Sequence, residues 1–165
     1  MLTAVLPDLR SGASHRPRQP ADEAFLRDLF VADRLPGFLE GGLTEPVARD
    51  LLADQFRLQS TAYAQTYATL DDRVLLAAGA PVGRCLVAQE PDHLVLVDLL
   101  VHPDHRGRGI GTAALRRVQA RARNARVRVE LSVVPGNPAQ QLYEREGFRP
   151  SGLRDDRVRM CWSPS

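Results

Sequence analysis

The sequence predicts a single mixed α/β domain, and three observations carry that reading. Apolar residues recur at helical spacing in two adjacent stretches between positions 21 and 67. Three strand-like runs joined by short turns follow, and from position 109 helix and strand patterns alternate to the end. The order is αα-βββ-α-β-α-ββ. A chain of 165 residues fits one domain and can bury a core without disulfide or metal staples.

Each element has a local reason. Positions 1–19 hold Pro7, Gly12 and Pro17 among Ser and Arg, so a loose N-terminal arm with one short strand near 16–19 is expected, ahead of one domain over 20–165. Phe25, Leu26, Leu29, Phe30 and Leu35 mark a helix over 21–35, and Pro36 with three glycines predicts a turn over 35–42. Thr44 is a candidate N-cap with Pro46 in the first turn. Val47, Leu51, Leu52, Phe56, Tyr63 and Tyr67 give the second helix its face, with a break expected near Ser60. Strands over 73–78, 82–89 and 93–101, with turns at 79–81 and 90–92, read as an antiparallel meander. A helix over 109–123 carries Ile110, Ala114, Val118 and Ala122 on one stripe, and a β-branched strand covers 127–133. Asn137 and Pro138 suit a helix start, Gln140 sits at capping-box spacing, and Gly147 suits the helix end. Positions 148–149 and 157–162 read as closing strands.

Hydrophobic residues at 44% and charged residues at 25% exclude wholesale disorder and collagen. No apolar run reaches the roughly 18–20 residues of a membrane span. The first ten residues have no basic start and their short apolar stretch is broken by Pro7, so a cytoplasmic protein is expected. Cys85 and Cys161 lie far apart in strand-like runs and read as buried thiols. His102 and His105 form a close pair with no further ligand at metal spacing, so no metal is expected.

Charge is uneven along the chain. Residues 1–98 carry 9 Arg against 14 Asp and Glu, whereas residues 99–165 carry 13 Arg against 6. Between Arg106 and Arg128 stand eight arginines and no acid. Such a field draws polyanions, either a phosphate-bearing cofactor or a nucleic acid; for most of these arginines a solvated helix face is the better reading. Every basic residue among the 22 is Arg and none is Lys, a pattern of composition rather than chemistry.

The segment that carries chemistry runs from Val97 to Val118, where a strand ends at a Pro and Gly107, Gly109 and Gly111 lead into a helix. The first amides of a helix lack internal partners and sit at the positive end of its dipole. Arg106 and Arg108 add charged donors and Thr112 a hydroxyl, so the segment reads as a diphosphate cradle. A Rossmann site fits loosely, since positions 109–114 satisfy G-x-G-x-x-A and Glu130 follows at about the right distance. Against it, five residues separate the strand from the first glycine, Glu130 lies inside a strand run, and too little chain remains for a doubly wound sheet. No Gly-Lys-Ser/Thr is present for a Walker A loop.

Arg106-Gly107-Arg108-Gly109-Ile110-Gly111 resembles the Q/R-x-x-G-x-G/A signature of the GNAT N-acetyltransferase superfamily. The apolar strand before Pro103 resembles the strand that precedes this loop in the family. Asn137-Pro138-Ala139 with Leu142-Tyr143-Glu144-Arg145-Glu146-Gly147-Phe148 resembles its N-x-A…LYE-x-x-GF helix. The resemblance covers about 20–162. It implies a GNAT-like fold with two N-terminal helices and a central mixed, mostly antiparallel sheet containing a splayed pair of parallel strands.

The resemblance also implies the chemistry. Acetyl-CoA would be the cosubstrate, its diphosphate held by Arg106, Gly107, Arg108, Gly109, Ile110, Gly111 and Thr112. Its pantetheine arm would run along Leu99, Leu100 and Val101, with the Leu99 amide as oxyanion donor and Asn137 contacting the cofactor as well as capping its helix. Tyr143 would be the general acid, or a packed aromatic. Asp98, a carboxylate among apolar neighbours, is a candidate general base, or an ion-pair partner of Arg84; Glu130 is the weaker candidate. The first two helices and closing strands would line the acceptor pocket. Asp22, Glu23, Asp28, Asp33, Glu40, Glu45, Asp50 and Asp54, with Gln55, Gln59 and Tyr63, would suit a cationic small-molecule or peptide amine if they face it, and a solvated helix surface if they do not. A homodimer is compatible with this reading. The alternatives are a non-catalytic CoA-binding sensor or scaffold and a basic nucleic-acid-binding domain. The latter is disfavoured by a lone Trp162 and the absence of a recognition motif.

Overall fold

The computed structural model describes residues 12–165. The elements are β1 (Ala13–Pro17), α1 (Glu23–Glu40), α2 (Glu45–Thr66), β2 (Leu70–Ala77), β3 (Ala80–Gln89), β4 (His93–Val101), α3 (Ile110–Ala125), β5 (Arg128–Val133), α4 (Ala139–Arg145), β6 (Arg149–Arg154) and β7 (Arg157–Trp162). The seven strands form one sheet in the order β1-β2-β3-β4-β5-β7-β6. β4 and β5 are parallel, and the other neighbouring pairs are antiparallel. Helices α1 and α2 cover one face around Leu26, Leu29, Phe30, Leu52 and Phe56. Helices α3 and α4 cover the other around Leu115, Val118, Tyr143, Leu94, Val129 and Phe148. Among the described residues no helix is long and apolar enough to cross a membrane.

The differences from expectation have local causes. The edge strand lies at Ala13–Pro17 rather than 16–19, because it pairs with β2 from Ala13↔Ala77 to Pro17↔Arg73; positions 1–11 of the expected arm lie outside the described residues. Arg16 holds it to the start of α1 through two 2.7 Å bonds to Asp22. The turn expected over 35–42 is helical to Glu40. Pro36 costs α1 one backbone bond, while Leu35 and Phe38 pack against the cluster between α1 and α2. Helix α2 runs unbroken past Ser60. It buries Ala48, Leu52 and Phe56, a stripe of every fourth residue, which leaves Val47 and Leu51 facing outward. At α4 the Asn137 side chain accepts a bond from the Ala139 amide (2.9 Å). Gln140 closes no capping box and instead donates to Glu144 (3.0 Å).

One irregularity positions the site. Opposite β3, Leu86 pairs with Asp98 but Val87 pairs with Leu96, so Val97 is an extra residue in β4. Leu94 and Leu96 face the α3 side. Beyond the bulge Leu99 and Val101 take over that face, and Leu100 turns to the α1–α2 side. Asp98, two residues before Leu100, shares the latter face. Gly83 permits this crossing: a Cβ there would lie 2.5 Å from the Leu100 carbonyl oxygen. Gly83→Ala is therefore expected to destabilise the fold by about 1–3 kcal/mol, seen as a lower Tm on thermal unfolding. An unchanged Tm would show that the two strands can part there freely.

Candidate active site

The pairing of β4 with β5 runs from His93↔Arg128 to Leu96↔Leu131 and stops. Beyond it the strands diverge around a cleft of about 720 Å³, lined by Leu99 and Val101 on one side, Ser132 and Val133 on the other, the glycine loop at one end, and Tyr143 of α4. Backbone directions on β4 follow from three contacts. The His102 amide donates to Val82 of β3 (2.8 Å), and the Leu100 carbonyl also points to β3, against Gly83. The Val101 carbonyl points the other way and accepts from Arg106 Nε (3.0 Å). By strand alternation the amides of Leu99 and Val101 face the cleft. Leu100, expected with them, turns its backbone to β3 and offers the cleft only its side of the strand.

After a 3₁₀ turn at Pro103–His105, Gly107 and Gly109 adopt φ of +73° and +78°, which L side chains strongly resist. Gly111 answers to packing instead, since a Cβ there would touch Leu142 at 3.4 Å. The first backbone bond of α3 is Ala113 to Gly109 (2.9 Å). The amides of residues 107–112 have no acceptor among the described residues. Ile110 offers its amide only, its side chain being buried in the core. Arg106 is already engaged: its amide bonds Pro103 (3.3 Å), and its guanidinium bonds Val101 and Asp33 of α1. Arg108 is exposed and without an ion-pair partner among the described residues. Thr112, Asn137 and, unforeseen, Arg145 also line the cleft.

The titratable groups separate clearly. Tyr143 is 7% exposed, its ring packs on Phe148 with centroids 5.9 Å apart, and burial with the nearby Asp98 charge pushes its hydroxyl well above the ordinary tyrosine range. It stays protonated at neutral pH. Burial likewise raises the Asp98 carboxyl against the pull of Arg84 and Arg34. Arg84 Nη1 stands 3.9 Å from it, because that guanidinium is bound at two points to Asp72 (2.9 and 2.7 Å). Tyr63 of α2 is pushed up to about 12 by burial and by Asp98.

Glu130 differs. Its oxygens bond Arg128 (2.8 Å) and Arg159 (3.0 Å), and chiefly the Arg128 bond holds it below the ordinary range. It pairs with Val95, in the closed part of the sheet, and does not line the cleft. It is a structural ion-pair residue rather than a base. Of the acids noted in the first two helices, Asp33 alone lines the cleft. Asp22 is bound to Arg16, Glu45 to Arg49 and Asp54 to Arg57, so the acidic half does not make an acidic pocket. Gln55 and Gln59 do not reach it. Arg34 and Arg157 do, and no motif or spacing in the sequence marks either. Among the described residues no cluster of His, Cys, Asp and Glu is placed to hold a metal ion.

Residues 25–148 match the family model described as the acetyltransferase (GNAT) family. Solved structures share the fold. PaiA N-acetyltransferase from Thermoplasma acidophilum, crystallised with coenzyme A, aligns at 14% identity over 92% of this chain and 99% of that one, with a TM-score of 0.72. An acetyltransferase from Thermus thermophilus aligns at 22% identity over 92% and 97%, TM-score 0.67. A histone acetyltransferase HPA2 and related acetyltransferase from Corynebacterium glutamicum aligns at 24% over 93% and 97%, TM-score 0.67. No curated protein matches.

Asp98 makes a prediction about stability. Unfolded, the carboxyl ionises near 3.8, whereas folded it holds its proton to higher pH. The stability contributed here therefore falls as pH rises between the two values. Asp98→Asn is expected to be at least as stable as the parent at pH 7 by thermal unfolding. A clearly lower Tm at that pH would show the carboxylate to be a net stabilising partner of Arg84.

Proposed function

The chain belongs to the acetyltransferase (GNAT) family, and from that premise we propose that it moves an acetyl group from acetyl-CoA to a primary amine by direct attack in a ternary complex. One observation carries the reading: six consecutive amides, 107–112, without acceptors among the described residues at the head of α3 and at the mouth of an open sheet. Unmet donors at a helix N-terminus favour an anion with several oxygens, and a diphosphate fits them. The coenzyme A complex of the similarly folded Thermoplasma protein supports that choice.

The residues divide the work. The amides of Gly107, Gly109, Ile110, Gly111 and Thr112 hold the diphosphate, with Arg108, Arg145 and the Thr112 hydroxyl adding donors. The cleft-facing groups of Leu99 and Val101 pair with the pantetheine amides as a strand edge would, which requires Arg106 to release the Val101 carbonyl. The Leu99 amide donates to the thioester oxygen as negative charge develops on it. Asp98 accepts the proton of the incoming ammonium, directly or through one water, its raised pKa bringing it closer to that task. As the C–N bond forms and the C–S bond breaks, Tyr143 donates its proton to the departing sulfur, and the second proton shed by the nitrogen restores its hydroxyl.

General acids are worth about 10²–10⁴ in rate. Tyr143→Phe is therefore expected to lower kcat at least about tenfold in a thiol-release assay, with acetyl-CoA affinity by calorimetry unchanged. Equal turnover would assign Tyr143 to packing alone. Failure of the parent protein to bind acetyl-CoA would remove the proposal itself.

A further inference from the structure

The lining of the cleft does not share the acidic balance of the N-terminal half. The lining holds four arginines, Arg34, Arg106, Arg145 and Arg157, against two aspartates, Asp33 and Asp98. Most are committed. Arg34 pairs with Asp33 (3.2 Å) and lies over the Phe30 ring at 3.7 Å; Arg106 pairs with the same carboxylate. Arg145 has no acid partner among the described residues but belongs to the diphosphate end: its helix rests on Gly111 through Leu142, and the next residue, Glu146, bonds Arg116 of α3.

Arg157 is different. It opens β7, beside the diverging end of β5, and the one hydrogen bond of its guanidinium among the described residues is a long one of 3.5 Å to the Ser132 carbonyl. Among the described residues it has no carboxylate within ion-pair distance. The carbonyl it reaches belongs to Ser132, just past Leu131, the last residue of β5 paired with β4, and Ser132 lines the cleft with it. The guanidinium lines the same cleft as Asp98, Leu99 and Tyr143 and offers a planar fork of donors that no carboxylate among the described residues occupies.

Resting on the acetyl-transfer reading, we propose that the acceptor is a small amine carrying its own anionic group, a carboxylate or a phosphate, which seats on Arg157 while the amine faces Asp98 and the Leu99 amide. A bidentate Arg–oxyanion contact fixes the orientation of a short molecule in a way one ammonium cannot. The same arginine repels the further ammonium groups of a polyamine or aminoglycoside, so it selects by exclusion as well.

The test uses matched acceptors with the full chain and acetyl-CoA, read by thiol release: L-alanine against L-alaninamide, phosphoethanolamine against ethanolamine, and spermidine. The parent protein is expected to favour the anionic member of at least one pair by about tenfold or more in kcat/KM, and the pair that responds tells carboxylate from phosphate. Arg157→Gln is expected to abolish that preference mainly through KM, and Arg157→Glu to turn it toward spermidine, both with parental acetyl-CoA affinity and Tm. An active enzyme that prefers neutral amines or spermidine overturns this inference and leaves the transferase standing. No thiol release with any amine, despite bound acetyl-CoA, removes both.

Discussion

The structure turns on a place where a sheet stops being one. In an interior strand every amide and carbonyl normally meets a neighbour. Here β4 loses its partner on one side after Leu96. An unmet buried amide costs about 1–3 kcal/mol, so the parting needs a cause. The head of α3 and the body of α4 act as a wedge: Ile110 and Tyr143 are buried in the core, and Gly111 lies against both Leu142 and Val101. On its other side β5 is secured by β7 over five pairs, and β4 by β3. Each strand is held by its outer neighbour while the wedge keeps the two apart, and the cleft between them stays open to solvent and ligand.

The bulge at Val97 places the Asp98 carboxylate by the same logic. Strict alternation would put Asp98 with Leu94 and Leu96 against α3, among apolar side chains. The extra residue turns it to the α1–α2 side, near Arg34 and Tyr63 and beside Arg84. Asp72 holds Arg84 at two points, so Asp98 receives a distant share of that charge and burial wins. A closer arginine would favour the ionised form and lower its basicity. The ion pair one strand away thus limits how far Arg84 can oppose the effect of burial on Asp98.

Much of this is legible in the sequence, for reasons that vary with the element. The meander and the glycine loop are readable because turns and positive φ demand particular residues; His93–Val101 falls where the pattern places it. A carboxylate in an apolar run marks Asp98, but a bulge leaves no trace in composition, so its face is hidden. The end of α1 escapes local reading because Pro36 and Gly37 are local breakers, while the packing of Phe38 that overrides them is tertiary. Glu130 looks free in the sequence because its arginines, Arg128 and Arg159, come from its own strand and from β7. Arg157 cannot stand out in a chain whose basic residues are all arginine.

The arginine-rich stretch gains its meaning from what surrounds each cation. Arg116 bonds Glu146 (2.8 Å), Arg117 the Ala13 carbonyl (2.9 Å), and Arg121 reaches Asp71 (3.1 Å) and Gln89 (2.8 Å). Arg123 lies over Trp162 at 4.9 Å. These staple α3 to its neighbours and leave little of a continuous polyanion-binding face. The helix starts complete the argument. Helices α1 and α2 each carry an acid in the first turn, Glu23 and Glu45, which answers the positive end of the dipole. Helix α3 has neither an acid there nor a side-chain cap. An acid at that position would compete for the very amides the loop leaves unmet, so the long helix start without internal compensation is the one that faces the cleft.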